Sequence, residues 1–459
     1  MNPAVSEAKV LPSGLSRGEL LRKVVHMSVG LFAFALHYLG PFWSAVLAAV
    51  ALANNVFLLP RVGGRKLWRQ AELDAGSSLG IILYPLAVLL LILVFYQRLE
   101  VAAAAWGILA FGDGMASVAG MQLGRRKLPW NPRKSWAGTI AYVVFGTFGA
   151  TALLLWTPRD HAYAPAFALA VCFATALLAA ALESLPQGLD DNIGVPLVSG
   201  LFLLGLVLTE GRWGDFLAQE DLIVRLGLAA AINAALAGAA YAARTVNRSG
   251  VIAGFVVGFL IYAFLDWRGY LLLLAFFVIG SACTKLGYRK KEAAKLAQEN
   301  KGRRGARHAL ANVSVATACA LFAALTPHPV LFALAFAGAF ATAAADTSSS
   351  EIGQLIGRRT YLVTNFRPVP RGTEGAVSLE GTLAGILASA VIAALAAAVG
   401  LFSWKGVLPV VFAAFVGTTF ESAVGAALER RQLLDNEALN FLNTLVGAMV
   451  AVIFTPWVL

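Results

Sequence analysis

Long apolar runs constrain the fold of this 459-residue chain more than any other feature. About 15 of them, mostly of roughly 17 to 22 residues, are long enough to cross the hydrocarbon core of a bilayer as helices. Hydrophobic residues make up 59% of the chain and charged residues only 13%, whereas charged residues form about 25% of a soluble domain. The sequence therefore predicts an all-α, polytopic transmembrane protein and argues against a soluble one.

The positions of lysine and arginine predict the orientation in the membrane. If the N-terminus is cytoplasmic, nearly all of the 36 basic residues fall in inner loops, as the positive-inside rule requires. The exceptions are Arg98, Arg159, Arg212, Arg225, Arg268 and Lys405. We expect a bacterial inner (plasma) membrane protein with its N-terminus and motif loops in the cytoplasm. The net charge of +11 is then loop charge facing the lipid bilayer, so nucleic acid is not an expected partner.

Two blocks of the chain carry the same polar motif. The stretch from Asp113 to Arg126 and the stretch from Asp346 to Arg359 both read Asp-x3-Ser-x6-Gly-Arg-Arg. Each is followed in the same order by Gly-Thr, Glu-Ser and Asp-Asn pairs: Gly138-Thr139, Glu183-Ser184 and Asp191-Asn192, then Gly381-Thr382, Glu421-Ser422 and Asp435-Asn436. We interpret the blocks as two parallel repeats facing one membrane side, with domains at 1–215 and 216–459.

Acidic residues beside basic loops suggest phosphoryl transfer in the first block. This chemistry needs carboxylates that bind Mg²⁺ or accept a proton, and cations that neutralise phosphate. We expect Asp113, at the inner end of its span, to be catalytic and a metal ligand. The other expected metal ligands are Glu183, Asp190, Asp191 and Asn192, and the expected phosphate-binding residues are Gly124, Arg125, Arg126, Lys127, Lys134 and Ser135. Arg22, Lys23 and His26 form a further polar group at the first span.

The second block predicts a matching set of residues. Asp346, again at the expected inner end of a span, is the candidate catalytic residue and metal ligand. Its expected co-ligands are Glu351, Glu380, Glu421 and Asn436, and the expected nucleotide- or phosphate-binding residues are Gly357, Arg358, Arg371 and Glu374. This block has Leu379-Glu380 where the first has Trp136-Ala137, and it lacks the double aspartate before Asn436. Its metal ligation is therefore less well specified.

Motif searches exclude some enzyme classes and leave others open. The chain has no GxxxxGK[ST], GxGxxG or HExxH pattern, so a P-loop, a Rossmann dinucleotide site and a zincin are unsupported. A cytidylyltransferase that makes a CDP-linked lipid would use the same residue types as a kinase. A membrane transporter would also fit parallel repeats, although it predicts polar groups near span centres rather than at inner ends.

Longer motifs of the first block resemble a known family. RKxxHxxxG (22–30), FGDGMAS (111–117), GRRKLPWNPRKSWAGT (124–139) and ESLPQGLDDNIGVPL (183–197) together are similar to the phytol and farnesol kinase branch of the dolichol kinase family. The resemblance covers most of the first 210 residues. It implies phosphorylation of an isoprenoid alcohol, with CTP or a related nucleotide as the donor.

The second block resembles a different family. NRSGVIAGFVVG (247–258), FFVIGSACTKLGYRKK (276–291), ADTSSSEIGQLIG (345–357) and TNFRPVPRGTEGAVSLEGTLAG (364–385) are similar to the membrane family that includes phytyl-phosphate kinases. Together the two resemblances imply a fusion of two kinases, which convert a prenol to its monophosphate and then to its diphosphate. Mg²⁺ is the implied cofactor and CTP the implied co-substrate of such a prenol salvage enzyme.

Overall fold

The computed structural model describes residues 17–59, 61, 79–185, 191–293, 305–373, 375–428 and 435–459. The chain forms two compact units, Met1–Val207 and Leu208–Leu459. Among the described residues, 11 helices are long and apolar enough to cross a membrane, and two shorter apolar helices accompany them. The chain is thus a helical integral membrane protein, which confirms the predicted fold class.

Helices build the first unit, apart from one short hairpin. Its elements are α1 (Arg17–Gly30), α2 (Leu36–Ala53), α3 (Leu79–Val94), α4 (Leu99–Gly107), α5 (Gly114–Leu123), β1 (Lys127–Leu128), β2 (Asn131–Ser135), α6 (Trp136–Trp156), α7 (Pro165–Ser184) and α8 (Asp191–Val207). A 3₁₀ turn at Leu31–Ala35 joins α1 to α2, and the π-helical segment Ile108–Asp113 joins α4 to α5. A second π-helical segment, Asn54–Leu58, follows α2.

The second unit has the same kinds of element. They are α9 (Trp213–Leu217), α10 (Leu222–Ala242), α11 (Arg248–Lys285), α12 (Tyr288–Ala293), α13 (Ala306–Leu325), α14 (Pro329–Ile356), β3 (Thr360–Leu362), β4 (Ala376–Ser378), α15 (Leu379–Ala398), α16 (Val407–Leu428), α17 (Asn436–Ile453) and α18 (Thr455–Val458). A 3₁₀ turn at Trp404–Gly406 precedes α16.

Two long helical stretches are broken where the sequence predicts separate spans. The spans expected at 24–40 and 42–60 lie in one stretch that is broken at Gly40, where φ is 68°. Those expected at 250–265 and 269–284 both lie in α11, which is broken at Asp266. The Asp266 carboxylate accepts the backbone N–H of Arg268, as in an Asx turn. The 38 residues of α11 would measure about 57 Å if unbroken, nearly twice the hydrocarbon thickness.

The most buried helices carry the two aspartates of the repeat. In the stretch Leu99–Leu123, 72% of the apolar window is buried, and in α14 the share is 78%, the highest values among the candidate spans of the described residues. In the second unit α14 packs against α11, α13, α15, α16 and α17. In the first unit α4 packs against α6 and α8. Asp113 and Asp346 thus lie on central helices that contact protein more than lipid.

A helix, a β-hairpin and a second helix follow one another in both units. In the first, α5 leads into the antiparallel pair β1–β2 and then α6. In the second, α14 leads into the antiparallel pair β3–β4 and then α15. Both preceding helices end at a glycine, Gly124 or Gly357, and the prolines in both hairpin segments prevent a new helix from forming there. The sequence repeat is therefore also a repeat of local structure.

Candidate functional site

The helices extend further past the aspartates than the sequence predicts. We expected Asp113 and Asp346 at inner span ends, near 120 and 345, but the helical stretches continue to Leu123 and Ile356. Each aspartate lies about ten residues before the helix end, a distance of about 15 Å. This corrects the expected helix ends, and both carboxylates lie inside their helical stretches. The expectation failed because the polar Ser and Gln after Asp346 lowered the apparent hydropathy of a continuous helix.

In the first unit, a lysine and a histidine from α1 meet Asp113. Lys23 Nζ lies 2.8 Å from Asp113 Oδ2, and His26 Nε2 lies 3.6 Å from the same oxygen. His26 Nε2 is also 3.1 Å from the carbonyl oxygen of Leu109, within the π-helical segment that ends at Asp113. Single π-helical turns are frequent at functional sites. Two residues of the RKxxH motif therefore surround the predicted catalytic carboxylate.

Two aromatic side chains hold His26 in place. The imidazole ring lies 4.3 Å from the ring of Tyr84, centroid to centroid. The Tyr84 hydroxyl donates to the backbone carbonyl of His26 at 3.3 Å, and Trp106 Nε1 donates to the Tyr84 hydroxyl at 2.9 Å. Tyr84 and Trp106 are both buried. This support limits the motion of the ring beside Asp113.

A second ion pair stands at the hairpin of the first unit. Lys134 Nζ lies 2.5 Å from Glu183 Oε1, and the Glu183 side chain is buried. Lys134 also interacts electrostatically with Asp113. The hairpin is fixed to the end of α7, because Asn131 Nδ2 donates to the Ser184 carbonyl at 3.1 Å. Lys134 thus connects Glu183 to the Asp113 group; that these residues form one site stays a prediction.

The glycines and serines of the repeated motif make the same close packing in both units. A Cβ added to Gly124 would lie 2.0 Å from the carbonyl oxygen of Gly120, and one added to Gly357 would lie 2.4 Å from that of Gly353. The hydroxyls of Ser135 and Ser378 accept the backbone N–H three residues on, at Gly138 and Gly381, and so cap α6 and α15. These contacts give the motif a packing function that no ligand is needed to explain.

The remaining predicted residues of the first unit lie around this core. Arg125, Arg126 and Lys127 are exposed on the hairpin side, and Arg22 is half-buried on α1. Asn192 is the second residue of α8. Asp190 and the side chain of Asp191 lie outside the described residues. The structure therefore describes both carboxylates with lysine partners and three exposed cations beside them.

In the second unit the corresponding carboxylates meet each other. Asp346 and Glu421 are hydrogen-bonded to one another. Asn443 on α17, which is fully buried, donates from Nδ2 to Glu421 Oε2. Two carboxylates this close repel each other unless a proton or a cation lies between them. Within the described residues, no lysine or arginine forms an ion pair with either carboxylate.

A cavity of about 250 Å³ opens at this acidic pair. It lies among α14, α15 and α16 and is bounded at one end by the β3–β4 hairpin and the start of α17. Its wall consists mostly of glycine, serine and threonine, together with Asp346, Glu421 and Asn436. Two carboxylates and an amide beside hydroxyl-rich walls form a site that can hold a small cation and phosphate oxygens.

An arginine-lined cleft adjoins the cavity. Arg358, Arg359 and Arg371 line it together with Pro368 and Pro370. Thr360 lines both the cleft and the cavity, so the two spaces are neighbours. Guanidinium groups bind phosphate oxygens in pairs of hydrogen bonds. The second unit therefore has anion-binding groups at the hairpin end of the cavity that contains the acidic pair.

Other predicted residues of the second unit have different partners. Glu351 is buried and paired with Lys291, whose ammonium also donates to the carbonyls of Cys283 and Thr284 at 3.1 and 3.0 Å. Glu380 accepts the backbone N–H of Arg358 at 3.2 Å. Glu374 lies outside the described residues. Glu351 and Glu380 thus join local contacts rather than the Asp346–Glu421 pair.

Among the carboxylates that the structure describes, Asp346 and Glu421 are the best placed to bind a divalent cation. Within the described residues, no cluster of three or more His, Cys, Asp or Glu side chains is placed to hold a metal. Mg²⁺, however, commonly takes only one or two carboxylates and completes its shell with water and substrate phosphates. Asp346, Glu421 and Asn436 meet that requirement. In the first unit, Lys23 and Lys134 already compensate Asp113 and Glu183.

Several contributing residues escaped sequence reasoning. Asn443 looked like one polar residue in an apolar run, although a buried amide within a span is itself a signal of function. Tyr84 and Trp106 carry no motif, so no sequence signal pointed to the contact of Tyr84 with His26 or to the hydrogen bond from Trp106 to Tyr84. Lys291 belongs to a basic loop segment in which eight other cations mask its burial. Only the three-dimensional contacts separate these residues from their neighbours.

Comparisons with known proteins identify relatives of the chain. The family model described as "Integral membrane protein DUF92" matches residues 231–448. The chain is 44% identical over 200 residues to an uncharacterized membrane protein of Synechocystis sp.. This match covers 43% of this chain and 78% of the relative. The chain is also 38% identical over 221 residues to the chloroplastic protein VTE6 of Arabidopsis thaliana. That match covers 47% of this chain and 66% of the relative.

A plant protein named for an activity is also similar. The chain is 31% identical over 208 residues to a probable chloroplastic phytol kinase 2 of Oryza sativa subsp. japonica. The match covers 42% of this chain and 67% of that protein. No solved structure matches the chain.

Proposed function

The chain belongs to the integral membrane protein family DUF92, and we propose that it is a membrane kinase that phosphorylates isoprenoid lipids in two steps. The first unit phosphorylates a prenol to its monophosphate, and the second unit phosphorylates the monophosphate to the diphosphate. A similar protein named phytol kinase supports the first step. The proposed donor is CTP or a related nucleotide, and the proposed ion is Mg²⁺.

One observation carries the proposal: the acidic cavity and the arginine cleft of the second unit adjoin at Thr360. Transfer of a phosphoryl group between two anions needs cations around the phosphates and acidic groups that hold a metal ion. Arg358, Arg359 and Arg371 supply the first of these, and Asp346 with Glu421 the second. A cavity for apolar cargo alone would need neither.

The proposed chemistry of the first unit follows from its neutral acceptor. The alcohol oxygen attacks the γ-phosphorus of the nucleotide, the bond from that phosphorus to the β–γ bridging oxygen breaks, and the nucleoside diphosphate leaves. The hydroxyl proton passes to Asp113, whose carboxylate is in contact with Lys23 at 2.8 Å. The exposed Arg125, Arg126 and Lys127 are placed to bind the nucleotide phosphates.

The second unit receives an acceptor that is already an anion. An oxygen of the monophosphate attacks the γ-phosphorus, and the same bridging bond breaks. The arginine cleft reduces the repulsion between the two phosphate groups. Asp346, Glu421 and Asn436 would hold Mg²⁺, which supplies charge neutralisation for the transferred group when it is bound. Within the described residues no lysine pairs with these carboxylates, so they are available to bind a metal ion. That ion would add the positive charge that an anionic acceptor needs.

Product analysis tests the proposal. Purified protein in lipid nanodiscs is incubated with CTP, Mg²⁺ and a C20 prenol, and separately with the C20 prenyl monophosphate. We expect CDP together with prenyl monophosphate in the first reaction and prenyl diphosphate in the second. Release of pyrophosphate with a CMP-linked lipid would instead identify a cytidylyltransferase and overturn the kinase proposal.

Transport is the second candidate, and the position of the aspartates inside helical stretches favours it. Acidic residues inside helical stretches, in a chain with two repeats, are typical of transporters. Uptake of a labelled prenyl phosphate into proteoliposomes without nucleotide, together with no turnover in the product assay, would support transport. The arginine cleft and the relative named phytol kinase make the kinase the stronger candidate.

A further inference from the structure

The cavity of the second unit continues past the acidic pair, away from the arginine cleft. On α15 its lining residues include Gly381 next to the hairpin, then Gly385, and then Ser389. A Cβ added to Gly385 would lie 3.0 Å from the carbonyl oxygen of Ala345, so Gly385 is level with the residue before Asp346. Ser389 lies about one turn, or 5.4 Å, further along the helix. The cavity therefore has a hairpin end at Thr360 and a deeper end at Ser389, with the acidic pair between them.

The hydroxyl groups at the deeper end already donate hydrogen bonds to carbonyls of their own helices. Ser389 donates to the Ile386 carbonyl at 2.8 Å, and Thr419 donates to the Phe415 carbonyl at 2.7 Å. Thr418 likewise donates to the Ala414 carbonyl at 3.1 Å. Hydroxyls that bond to their own helix present mainly their carbon atoms to a neighbour. A hydrocarbon chain can therefore lie here without leaving a buried donor unpaired.

The same end reaches the outer surface of the unit between α15 and α16. Ile386 on α15 and Phe415 on α16 both line the cavity, yet 38% and 44% of their surfaces are exposed. Both residues lie within candidate membrane spans. The exposed surface of a membrane span faces lipid rather than water. The cavity thus opens sideways into the hydrocarbon region at one end and adjoins charged groups at the other.

We infer that a prenyl monophosphate reaches the second unit sideways from the bilayer, with its hydrocarbon chain passing between Ile386 and Phe415 and its phosphate at the Asp346–Glu421 pair. This inference rests on the proposed function and adds the path of the acceptor. The occupant follows from the two ends of the cavity, because a molecule with an anionic head and an apolar tail matches both. Since the tail end is open, only the first isoprene units contact the protein. Chains of C15, C20 and longer should therefore be accepted with similar kcat.

Bulky substitutions at the opening test the path. Ile386→Trp and Phe415→Trp are measured in nanodiscs with C20 prenyl monophosphate and CTP. We expect the KM for the lipid to rise about tenfold, as loss of about two buried methylenes would produce, while the KM for CTP changes less than twofold. Leu387→Trp and Leu408→Trp are the matched controls, because both leucines are exposed on the same helices but do not line the cavity. They should leave both constants unchanged.

A photolabel provides a second measurement that does not depend on turnover. A prenyl monophosphate with a diazirine in its second isoprene unit should label α15 and α16 near Ile386 and Phe415, and unlabelled prenyl monophosphate should compete. If the wild type turns over prenyl monophosphate but the Trp variants match their controls and the label falls elsewhere, the path is wrong. If the wild type phosphorylates no prenyl monophosphate at all, the proposed function fails instead, and specific competed labelling at α15 and α16 would still support lipid access.

Discussion

Asp346 and Glu421 share a hydrogen bond inside the second unit, although 75 residues separate them in the sequence. Their counterparts in the first unit, Asp113 and Glu183, are instead paired with Lys23 and Lys134. The position that corresponds to Lys134, one residue before the capping serine, is Val377 in the second unit. Two units with the same local structure thus differ in the charge around their carboxylates. This difference suggests two different acceptors.

The acidic pair should be required for the second step only. Asp346→Asn or Glu421→Gln should lower phosphorylation of the prenyl monophosphate at least about 100-fold, because one ligand and one charge are lost. Prenyl monophosphate should then accumulate from the alcohol. Mn²⁺ binding, followed by electron paramagnetic resonance, should weaken in the same variants without any substrate. Glu437→Gln removes a carboxylate that faces Arg307 and serves as the control; equal losses in this variant would contradict the assignment.

Asp113 should be required for the first step only. Asp113→Asn keeps the shape of the side chain but removes its ability to accept a proton, so alcohol phosphorylation should fall about 10²- to 10⁴-fold. Phosphorylation of added monophosphate should remain near the wild-type rate. Lipid products are measured by mass spectrometry, with Asp160→Asn on an exposed loop as the control. Normal alcohol turnover in Asp113→Asn would remove Asp113 from the catalytic residues.

The sequence predicted the membrane fold, and it singled out carboxylates that the structure pairs, for physical reasons. Apolar helices are long and continuous, so their pattern survives without any tertiary information. The Asp, Glu and Gly-Arg-Arg positions repeated in order, which pointed to Asp346 and Glu421 together and to the arginine loop. The repeat could not show that Gly124 and Gly357 are close-packing positions, because a glycine looks the same whether it meets a phosphate or a carbonyl.

Contacts between distant segments were beyond sequence reasoning. Glu351 resembled a metal ligand because it lies five residues after Asp346, yet on α14 it faces Lys291 instead. Five residues correspond to about 500° around a helix, so the two carboxylates point in different directions. Helix ends were misplaced for a related reason, since polar residues on a buried helix can contact protein rather than water. Pairing and burial needed the structure.

Phosphate binding in the second unit should depend on Arg358 and Arg371, which line the arginine cleft, and not on Arg367, which lies outside it. Arg371→Met and Arg358→Met should raise the KM for CTP or for prenyl monophosphate about tenfold or more in the second step, since each loses charge-assisted hydrogen bonds. Arg367→Met is the control, because Arg367 is exposed in the same loop but does not line the cleft. Steady-state kinetics with added monophosphate measure the effect. Similar KM values for all three variants would show that the cleft is not the phosphate site.

The glycines of the repeated motif should not accept a methyl group. Gly124→Ala and Gly357→Ala place a Cβ about 2 Å from a backbone carbonyl that cannot move easily. We expect a loss of about 1–3 kcal/mol of stability, seen as a lower melting temperature in detergent. Gly254→Ala on α11 is the control, since no atom lies within 4 Å of the added carbon. A neutral result for Gly124→Ala would mean that the backbone at the end of α5 is looser than described.

The buried ion pair of Lys291 and Glu351 should hold α12 and the end of α11 against α14. Lys291→Met leaves Glu351 buried without a described partner and removes the ammonium from the Cys283 and Thr284 carbonyls, which should cost about 3–5 kcal/mol. Adding Glu351→Gln should recover part of that loss, because no uncompensated charge then remains inside the protein. Lys290→Met changes the exposed neighbouring lysine and should be nearly neutral. The melting temperatures in detergent of the wild type, Lys291→Met, Glu351→Gln and the double variant form a double-mutant cycle. Additive losses in the double variant would show that the two charges do not interact.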